Sequence, residues 1–227
     1  MWHHEIEVAV DPRRGGGASK FLFAAILLSV AYLALSEAAL DRRVLSQDHA
    51  VHAWLEPIRH GRLQLPMETV SFLGEPAGLI PLIGIASLAL ALIDRLWAAL
   101  LPVLMAGSGV LQYVTKWAAD RPRPNAAPWG FPSGHVLCLT VFFGVVAYLI
   151  ATTGHGRRRL RVLATSGCGA MVVAVAFSRM YLDMHWLSDV VGGLAVGAAY
   201  LLAALWAIQV CAPRRAVVSS ASSRRGP

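Results

Sequence analysis

Six apolar runs separated by polar stretches dominate this sequence and restrict the folds open to it. A helix that crosses a bilayer needs about 20 predominantly apolar residues. Only 15% of the residues are charged and 56% are hydrophobic, whereas soluble domains carry about 25% charged residues. The pattern therefore predicts an all-α integral membrane protein built as a six-helix bundle. The runs cover approximately residues 21–40, 76–93, 96–116, 134–153, 160–181 and 186–211.

The polar ends of the chain enclose one membrane domain. The 227 residues suit a single domain of several spans, which we place at residues 20–212. Residues 1–19 are predicted to form a cytoplasmic tail, and the Ser/Arg-rich residues 213–227 a disordered cytoplasmic tail. The net charge of +7 is spread between the apolar runs, which does not indicate a nucleic-acid partner. The three cysteines lie inside apolar runs and are interpreted as small buried side chains.

The distribution of basic residues predicts the orientation in the membrane. Six spans place both termini on one side, and cytoplasmic loops carry an excess of lysine and arginine. We therefore assign the side with twelve basic residues to the cytoplasm. These twelve are Arg13, Arg14, Lys20, Arg95, Arg157, Arg158, Arg159, Arg161, Arg214, Arg215, Arg224 and Arg225. The other eight are Arg42, Arg43, Arg59, Arg62, Lys116, Arg121, Arg123 and Arg179.

The longest stretch between the apolar runs, residues 41–75, is here named the outer segment. Four of its apolar residues recur at helical spacing beside Trp54, which predicts an amphipathic helix on the membrane surface. These residues are Val44, Val51, Leu55 and Ile58. His49, His52 and His60 also lie in this segment. A metal site formed by His49 and His52 is conceivable, but solvated helix histidines are the preferred interpretation, and no metal or cofactor is predicted.

Three polar clusters lie at the extracytoplasmic ends of the predicted spans. The first, residues 116–124, leaves the third span, and the second, residues 132–135, enters the fourth. The third, residues 178–189, connects the fifth and sixth spans. The first two share one loop, and the third is two crossings further along the chain. The topology therefore allows all three clusters to meet at one end of the bundle.

The third cluster contains a histidine and a carboxylate at helical spacing. His185 and Asp189 are four residues apart, so on a helix that begins near Trp186 they share one face. A carboxylate there can accept the Nδ1–H of the imidazole and leave Nε2 free as a base or nucleophile. Arg179 could clamp an anion in front of that nitrogen. The alternative is an ordinary interfacial turn, with Arg179 at the membrane boundary and Asp189 in the first turn of the next helix.

The other two clusters supply positive charge and hydrogen-bond donors. Cations at a membrane boundary are costly and usually functional, and three around one point could hold a phosphate. The three are Lys116, Arg123 and Arg179. Ser133 suits the N-cap of the fourth helix, Gly134 lets a ligand approach the backbone, and His135 could protonate a leaving oxygen. The alternatives are snorkelling anchors for the cations, an ordinary helix start, and a satisfied interfacial histidine.

Together the clusters resemble the signature of the type 2 phosphatidic acid phosphatase (PAP2) superfamily of membrane lipid phosphatases. That signature reads Lys-x6-Arg-Pro, Pro-Ser-Gly-His and Ser-Arg-x5-His-x3-Asp, and all three parts are intact in this sequence. The resemblance covers approximately the third to sixth spans. Only seven residues separate Pro124 from Pro132, fewer than is common in the family, which leaves little outer loop for a lid or a headgroup pocket.

The resemblance implies a role for each residue of the signature. His185 is implied to be the nucleophile that forms a phosphohistidine, Asp189 to orient it, and His135 to act as general acid for the leaving oxygen. The implied phosphate-binding residues are Lys116, Arg123, Ser133, Gly134 and Arg179. Arg121 also precedes a proline, but its spacing from the lysine does not fit the motif.

We therefore predict a metal-independent, two-step phosphatase in the plasma membrane that takes a lipid monophosphate or diphosphate from the outer leaflet. A phosphotransferase on the same scaffold is one alternative, and a non-enzymatic six-span lipid-binding protein or transporter is another. The second alternative gives no use to the histidine–aspartate spacing. Undecaprenyl diphosphate, phosphatidylglycerol phosphate and phosphatidic acid all stay open as substrates, and the sequence indicates no oligomeric state.

Overall fold

The computed structural model describes residues 15–59, 61–152 and 157–211. Within these ranges the chain is all-α, as predicted, and contains eight α-helices and one short 3-10 helix (Glu56–Ile58). The α-helices are α1 (Gly15–Leu40), α2 (Ser46–Leu55), α3 (Gln64–Phe72), α4 (Pro76–Ala91), α5 (Arg95–Ala119), α6 (Gly134–Thr152), α7 (Arg158–Tyr181) and α8 (Leu187–Cys211). His60 and the predicted tail residues 1–14 and 213–227 lie outside the described residues.

Five of the described helices, α1, α5, α6, α7 and α8, are long and apolar enough to cross a bilayer. Helices α3 and α4 form a sixth candidate span only when taken together, and they meet at a bend of 54°. The sequence predicts one continuous second span at residues 76–93, whereas α4 has 16 residues and ends at Ala91. The chain is thus a multi-pass membrane protein with five candidate spans among the described residues, or six if α3 and α4 together form one.

The bend follows from the residues between α3 and α4. The residue before a proline is disfavoured in the α region, and Glu75 has an extended backbone with φ −79° and ψ 152°. Pro76 cannot continue a helical hydrogen-bond ladder, but it fits the first turn of a new helix. The chain therefore breaks after α3 and resumes as α4, while α3 itself packs against α7.

The first helix begins earlier than the sequence predicts. A polar tail is expected up to residue 19, but α1 begins at Gly15. A helix that has already formed adds one hydrogen bond with each further residue, so the apolar run extends it into the glycine-rich flank. The portion suited to a span, residues 18–40, still agrees with the first predicted run.

Helix α8 lies at the centre of the bundle and packs mainly against α1 and α6. A Cβ on Gly193 would lie 2.6 Å from the Ser133 carbonyl oxygen, and one on Gly197 would lie 2.8 Å from the Leu137 carbonyl oxygen. Such close contact between helices is typical of small residues in membrane proteins. The core between α5, α6 and α8 includes Leu101, Leu104, Leu137, Val141, Val145, Leu201 and Leu205. This packing sets the start of α6 beside the start of α8.

The outward faces of the helices carry large exposed apolar side chains, among them Leu33, Leu88, Val103 and Leu163. Extensive apolar surface is unusual on a soluble protein. These faces therefore suit contact with lipid chains, in agreement with the membrane class predicted from composition.

The outer segment forms the predicted helix, but the bundle itself covers part of that helix. Helix α2 packs against α7 and α8, with the Leu55 side chain and the Asp48 carboxylate buried. Trp54 is 65% exposed. Contact between this helix and the membrane surface stays a prediction, whereas its contact with the top of the bundle is observed.

Candidate active site

The three predicted clusters meet at one end of the bundle. Lys116 lies in the last turn of α5 and Arg179 in the last turn of α7. Helices α6 and α8 begin at the same end, and Asp189 lies in the first turn of α8. The buried His185 imidazole is within electrostatic reach of four other predicted site residues. These are Lys116, Arg123, His135 and Arg179.

His185 lies in the short turn that connects α7 to α8. The backbone N–H groups of Met184 and His185 both donate to the Arg179 carbonyl oxygen, at 3.0 and 3.2 Å. Asp183 in the same turn has a φ of 61°, in a left-handed region that is uncommon for residues other than glycine. The turn therefore closes tightly on the end of α7 and places the imidazole next to the Arg179 guanidinium.

The predicted pairing of His185 with Asp189 is present, with a longer contact than expected. The two atoms that face each other, His185 Nδ1 and Asp189 Oδ2, are 3.4 Å apart. Nδ1 makes no hydrogen bond to the described residues, and Asp189 Oδ2 accepts the Trp186 backbone N–H at 2.9 Å. The carboxylate thus stabilises the first turn of α8 and faces the Nδ1 side of the ring. The Nε2 atom is directed away from the carboxylate.

The surroundings of His185 lower its pKa well below the ordinary value. Burial is the largest cause, because desolvation disfavours the charged imidazolium. The positive charges of Lys116, Arg179 and Arg123 lower this pKa further. His185 is therefore neutral at neutral pH, and a neutral imidazole nitrogen can act as a nucleophile.

The start of α6 is tied to the start of α8 by a backbone hydrogen bond. The Ser133 N–H donates to the Asp189 carbonyl oxygen at 2.9 Å, and the Ser133 carbonyl oxygen accepts from the Leu137 N–H at 3.0 Å. Ser133 therefore occupies the predicted N-cap position through its backbone. Its hydroxyl and the Nε2 atom of His135 are both buried and have no hydrogen-bond partner among the described residues. Both atoms are free to contact a ligand.

The space beside Gly134 in which a Cβ would lie is filled by a neighbouring side chain. A Cβ on Gly134 would lie 2.3 Å from Cδ of Gln112, so the amide side chain of Gln112 occupies this position. Gln112 Oε1 also accepts a hydrogen bond from Cys138 Sγ at 3.2 Å. A larger residue at position 134 would have to displace the amide end of Gln112, which packs between α5 and α6. A role for Gly134 in ligand binding stays a prediction, and it depends on the backbone N–H.

The predicted cations have few partners within the protein. Lys116 Nζ donates to the Trp129 carbonyl oxygen at 2.6 Å, and Arg179 Nη1 donates to Ser71 Oγ. The Nε atoms of Arg123 and Arg179 are buried without a hydrogen-bond partner among the described residues. Buried unpaired donors are uncommon and call for an explanation. Their grouping around His185 suits an anionic ligand such as a phosphate.

Sequence reasoning assigned no role to Arg121, yet its side chain is fully buried. Arg121 Nη1 lies 3.3 Å from Asp189 Oδ1, and Nη2 donates to Asp48 Oδ2 at 2.8 Å. Nη1 also donates to Ser188 Oγ at 2.7 Å. The signal available in the sequence was a second arginine followed by proline inside the first cluster, but the motif spacing selects Arg123.

The end of α3 and the bend that follows it also contribute to the candidate site, and the sequence does not predict this contribution. Ser71 is buried and accepts the hydrogen bond from Arg179. Gly74 lies against His135, since a Cβ on Gly74 would be 2.5 Å from Cδ2 and 2.7 Å from Cγ of the ring. The Ser71–Arg179 contact joins residues 108 positions apart, and no local pattern marks either Ser71 or Gly74.

The two histidines of α2, His49 and His52, contact side chains outside this helix and do not form a metal site with other described residues. His52 Nε2 lies 2.9 Å from Asp183 Oδ1 and 3.1 Å from Arg59 Nη1. The His49 ring packs against Trp186, with the ring centroids 5.6 Å apart. Among the residues that the structure describes, no group of three His, Cys, Asp or Glu side chains is placed to hold a metal ion.

A cavity of about 250 Å³ lies beside the Lys116 side chain. Its lining residues are Gly109, Gln112, Tyr113, Lys116, Trp117 and Trp129. Tyr113 and Trp117 belong to the exposed face of α5. The cavity therefore adjoins both the cationic cluster and the surface of the bundle that faces lipid.

A family model described as "PAP2 superfamily" matches residues 97–212. This range contains almost all of α5 and the whole of α6, α7 and α8, and it includes the three polar clusters. The family match and the convergence of the clusters therefore rest on the same half of the chain.

Two relatives and one solved structure agree with this match. Phosphatidylglycerophosphatase B of Bacillus subtilis (strain 168) is 29% identical over 183 residues, which cover 78% of this chain and 90% of the relative. Lipid phosphate phosphatase delta of Arabidopsis thaliana is 30% identical over 92 residues, 39% of this chain and 21% of the relative. The crystal structure of a transmembrane PAP2 type phosphatidylglycerolphosphate phosphatase from Bacillus subtilis has the same fold. It covers 85% of this chain and 100% of its own, with a TM-score of 0.76 and 24% identity.

Proposed function

The chain belongs to the PAP2 superfamily, and from this premise we propose that it is an integral membrane lipid phosphatase that works through a phosphohistidine intermediate. The observation that carries the proposal is the buried, neutral His185 beside Asp189 and among Lys116, Arg123 and Arg179. Phosphoryl transfer is catalysed mainly by positioning and by fixed positive charge. A nucleophile surrounded by three cations meets both needs.

In the first step, His185 Nε2 attacks phosphorus in line with the leaving oxygen. A P–N bond forms, the P–O bond to the lipid breaks, and His135 gives its proton to the departing oxygen. Asp189 faces the Nδ1 side of the ring and stabilises the positive charge that develops there. The charge on the phosphate oxygens is stabilised by the remaining residues. These are Lys116, Arg123, Arg179, the Ser133 hydroxyl and the Gly134 backbone N–H.

In the second step, water hydrolyses the phosphohistidine. His135, now neutral, takes a proton from the attacking water, the P–N bond breaks, and inorganic phosphate leaves. Both steps use the same histidine in opposite senses, so its proton returns for the next turnover. The side-chain cations supply the charge stabilisation, and the mechanism uses no metal ion.

The orientation proposed for the enzyme follows from the basic residues. The side richer in lysine and arginine is cytoplasmic, which places both termini in the cytoplasm and the active site on the extracytoplasmic face of the plasma membrane. The cavity beside Lys116 then holds the first part of the lipid chain or its headgroup. Its aromatic lining suits the interface between the polar and apolar parts of a lipid.

The proposed substrates are lipid monophosphates or diphosphates. The Bacillus relative is named for phosphatidylglycerol phosphate, and the Arabidopsis relative for lipid phosphates in general. Both names describe a phosphate ester on a membrane lipid, which fits the cationic cluster next to a lipid-facing cavity. Phosphatidylglycerol phosphate, phosphatidic acid and undecaprenyl diphosphate are therefore the substrates to compare.

The purified protein is expected to release inorganic phosphate from at least one lipid of this panel, in the presence of a chelator as well as in its absence. Glycerol 3-phosphate, which lacks the lipid chain, should react more slowly because it leaves the cavity beside Lys116 empty. Phosphate release is measured in detergent micelles at equal substrate concentration. Loss of activity in chelator with recovery on adding a divalent ion would contradict the metal-free mechanism.

Product analysis in the same assay separates the alternatives. Lipid binding without release of phosphate would support a non-enzymatic lipid-binding protein. Transfer of the phosphoryl group to an added alcohol in preference to water would support a phosphotransferase. Equal rates on glycerol 3-phosphate and on the lipids would contradict the role given to the cavity.

The Gly74→Ala variant is expected to lose about 10²-fold in kcat, because a misplacement of about 1 Å at a catalytic group can cost that much. The added methyl group would overlap the His135 ring and displace it. The control is Gly84→Ala in α4, where an added Cβ meets nothing within 4 Å. Phosphate release by both folded variants is the measurement, and equal rates would mean that Gly74 does not position the ring.

A further inference from the structure

Asp48 is a buried carboxylate that the reaction described above does not use. It lies in α2, on the outer side of the bundle, yet only 1% of its surface is exposed. Its Oδ1 accepts the Ser188 backbone N–H at 2.7 Å, and its Oδ2 accepts the Ser188 hydroxyl at 2.8 Å. The Leu45 backbone N–H donates to the same Oδ2 at 3.0 Å. The carboxylate is therefore fully engaged, and it binds the first turn of α8 from outside.

Asp48 shares one guanidinium with Asp189. Arg121 Nη2 donates to Asp48 Oδ2 at 2.8 Å, while Arg121 Nη1 lies 3.3 Å from Asp189 Oδ1. All three side chains are at most 1% exposed. Two negative charges thus face one positive charge in a buried space, where electrostatic interactions are stronger than in water.

The division of Arg121 between two carboxylates matters for the pair formed by His185 and Asp189. Asp189 uses Oδ2 for the Trp186 N–H and for the contact with His185 Nδ1. Its other oxygen, Oδ1, faces Arg121. A second carboxylate on the same guanidinium keeps Arg121 from neutralising Asp189 completely. It also holds the backbone of Ser188, the residue immediately before Asp189.

We propose that Asp48 is a positioning residue for this reaction, which acts through Arg121 and the first turn of α8 to hold the Asp189 carboxylate against the His185 imidazole. The inference rests on the proposed function, because it gives Asp189 and His185 the roles stated there. Helix α2 then contributes to catalysis, which its amphipathic pattern alone does not indicate.

The charge balance around His185 gives the sign of the expected effect. Lys116 of α5, Arg123 of the following loop, His135 of α6 and Arg179 of α7 all disfavour the imidazolium. Asp189 of α8 is the carboxylate in direct contact with the ring. Removing the charge of Asp48 leaves Arg121 fully directed at Asp189, so the imidazolium loses part of its stabilisation. The acid limb of the pH profile should then move to lower pH, and kcat should fall.

The Asp48→Asn variant tests this in the full-length protein, because asparagine keeps the size and can still accept the Ser188 N–H. We expect kcat to fall about 10- to 100-fold, the loss typical of groups that orient a functional residue through another, with KM unchanged. Ser188→Ala, which removes one bond to Asp48 and one to Arg121 but keeps both charges, should lower kcat by less. Asp48→Glu, which restores the charge, should return the acid limb toward its wild-type position.

The matched control is Asp41→Asn, which removes a carboxylate that is exposed on the same side of the protein and paired with Arg43. This control should leave kcat and the pH profile unchanged. A purely structural role for Asp48 would lower the yield of folded protein and leave both quantities unchanged for the molecules that fold, which would overturn the inference. If Asp48→Asn yields no folded protein, an unchanged kcat in folded Ser188→Ala would overturn it equally.

The proposed function and this inference can fail separately. Absence of phosphate release by the wild-type protein would remove the proposed function. A wild-type enzyme that requires His185, together with an Asp48→Asn variant of normal kcat and normal acid limb, would remove only the role of Asp48.

Discussion

The His185→Ala variant is expected to release no measurable phosphate from any lipid that the wild-type protein hydrolyses. In the proposed mechanism the imidazole is the protein group that bonds to phosphorus, and loss of a catalytic nucleophile can cost about 10⁶-fold in kcat. The structure gives this histidine the features expected of a nucleophile. It is buried, neutral and held between the end of α7 and the start of α8. Release of phosphate from a radiolabelled lipid measures the loss.

Two further measurements make this result specific. The wild-type enzyme, quenched at high pH during turnover, should carry the label on the protein, since a phosphohistidine survives alkali better than acid. The His185→Ala variant should carry none. His49→Ala, which removes an exposed imidazole of α2, should behave as wild type in both assays. A His185→Ala variant that hydrolyses lipid at the wild-type rate would exclude the phosphohistidine mechanism.

Local spacing explains which parts of the site were predictable. His185 and Asp189 are separated by four residues, and this spacing on a helix brings their side chains to one face in almost any fold. The number of crossings then places the three clusters at one end of the bundle, where the structure also finds them. The convergence of these residues is therefore observed, whereas their individual roles in catalysis stay predictions.

Contacts between distant parts of the chain explain what was missed. The Asp48–Arg121 hydrogen bond joins residues 73 positions apart. From the sequence, Asp48 looks like an ordinary acidic residue in the first turn of a surface helix, where it would favour the helix dipole. Only the packing of α2 onto α8 shows that its carboxylate is buried. A pattern of residue types along one segment carries no information about such a partner.

The region predicted as the second span shows a different limit of prediction from sequence. Proline is favoured in the first turn of a helix, and Pro76 occupies that position at the start of α4. Pro76 also separates α4 from the preceding helix, α3. These two helices form a candidate span only when taken together, with a bend of 54° between them. Because the residues of α3 are a mixture of polar and apolar types, the sequence places them in the outer segment. The bend matters for the site, since it places Ser71 and Gly74 against Arg179 and His135.

The His135→Ala variant is expected to lose about 10²- to 10⁴-fold in activity on a lipid phosphate, the range that general acid–base catalysis supplies. An alkoxide is a poor leaving group that needs a proton. His135 Nε2 is buried at the start of α6 and has no hydrogen-bond partner among the described residues, which suits the proposed role of proton donor. An aryl phosphate with an acidic phenol needs no such proton. The first step on that substrate should therefore be nearly unaffected, and the rates of the variant on both substrates are to be compared.

The second step distinguishes this role from a merely structural one. In the proposed mechanism His135 also activates the water that attacks the phosphohistidine, so the variant should accumulate the intermediate when the first step is fast. The expected result is a burst of phenol of about one equivalent per enzyme, followed by slow turnover, because covalent intermediates that accumulate produce such bursts. His185→Ala should give no burst. Equal losses on the lipid and the aryl ester, without a burst, would mean that His135 shapes the site and transfers no proton.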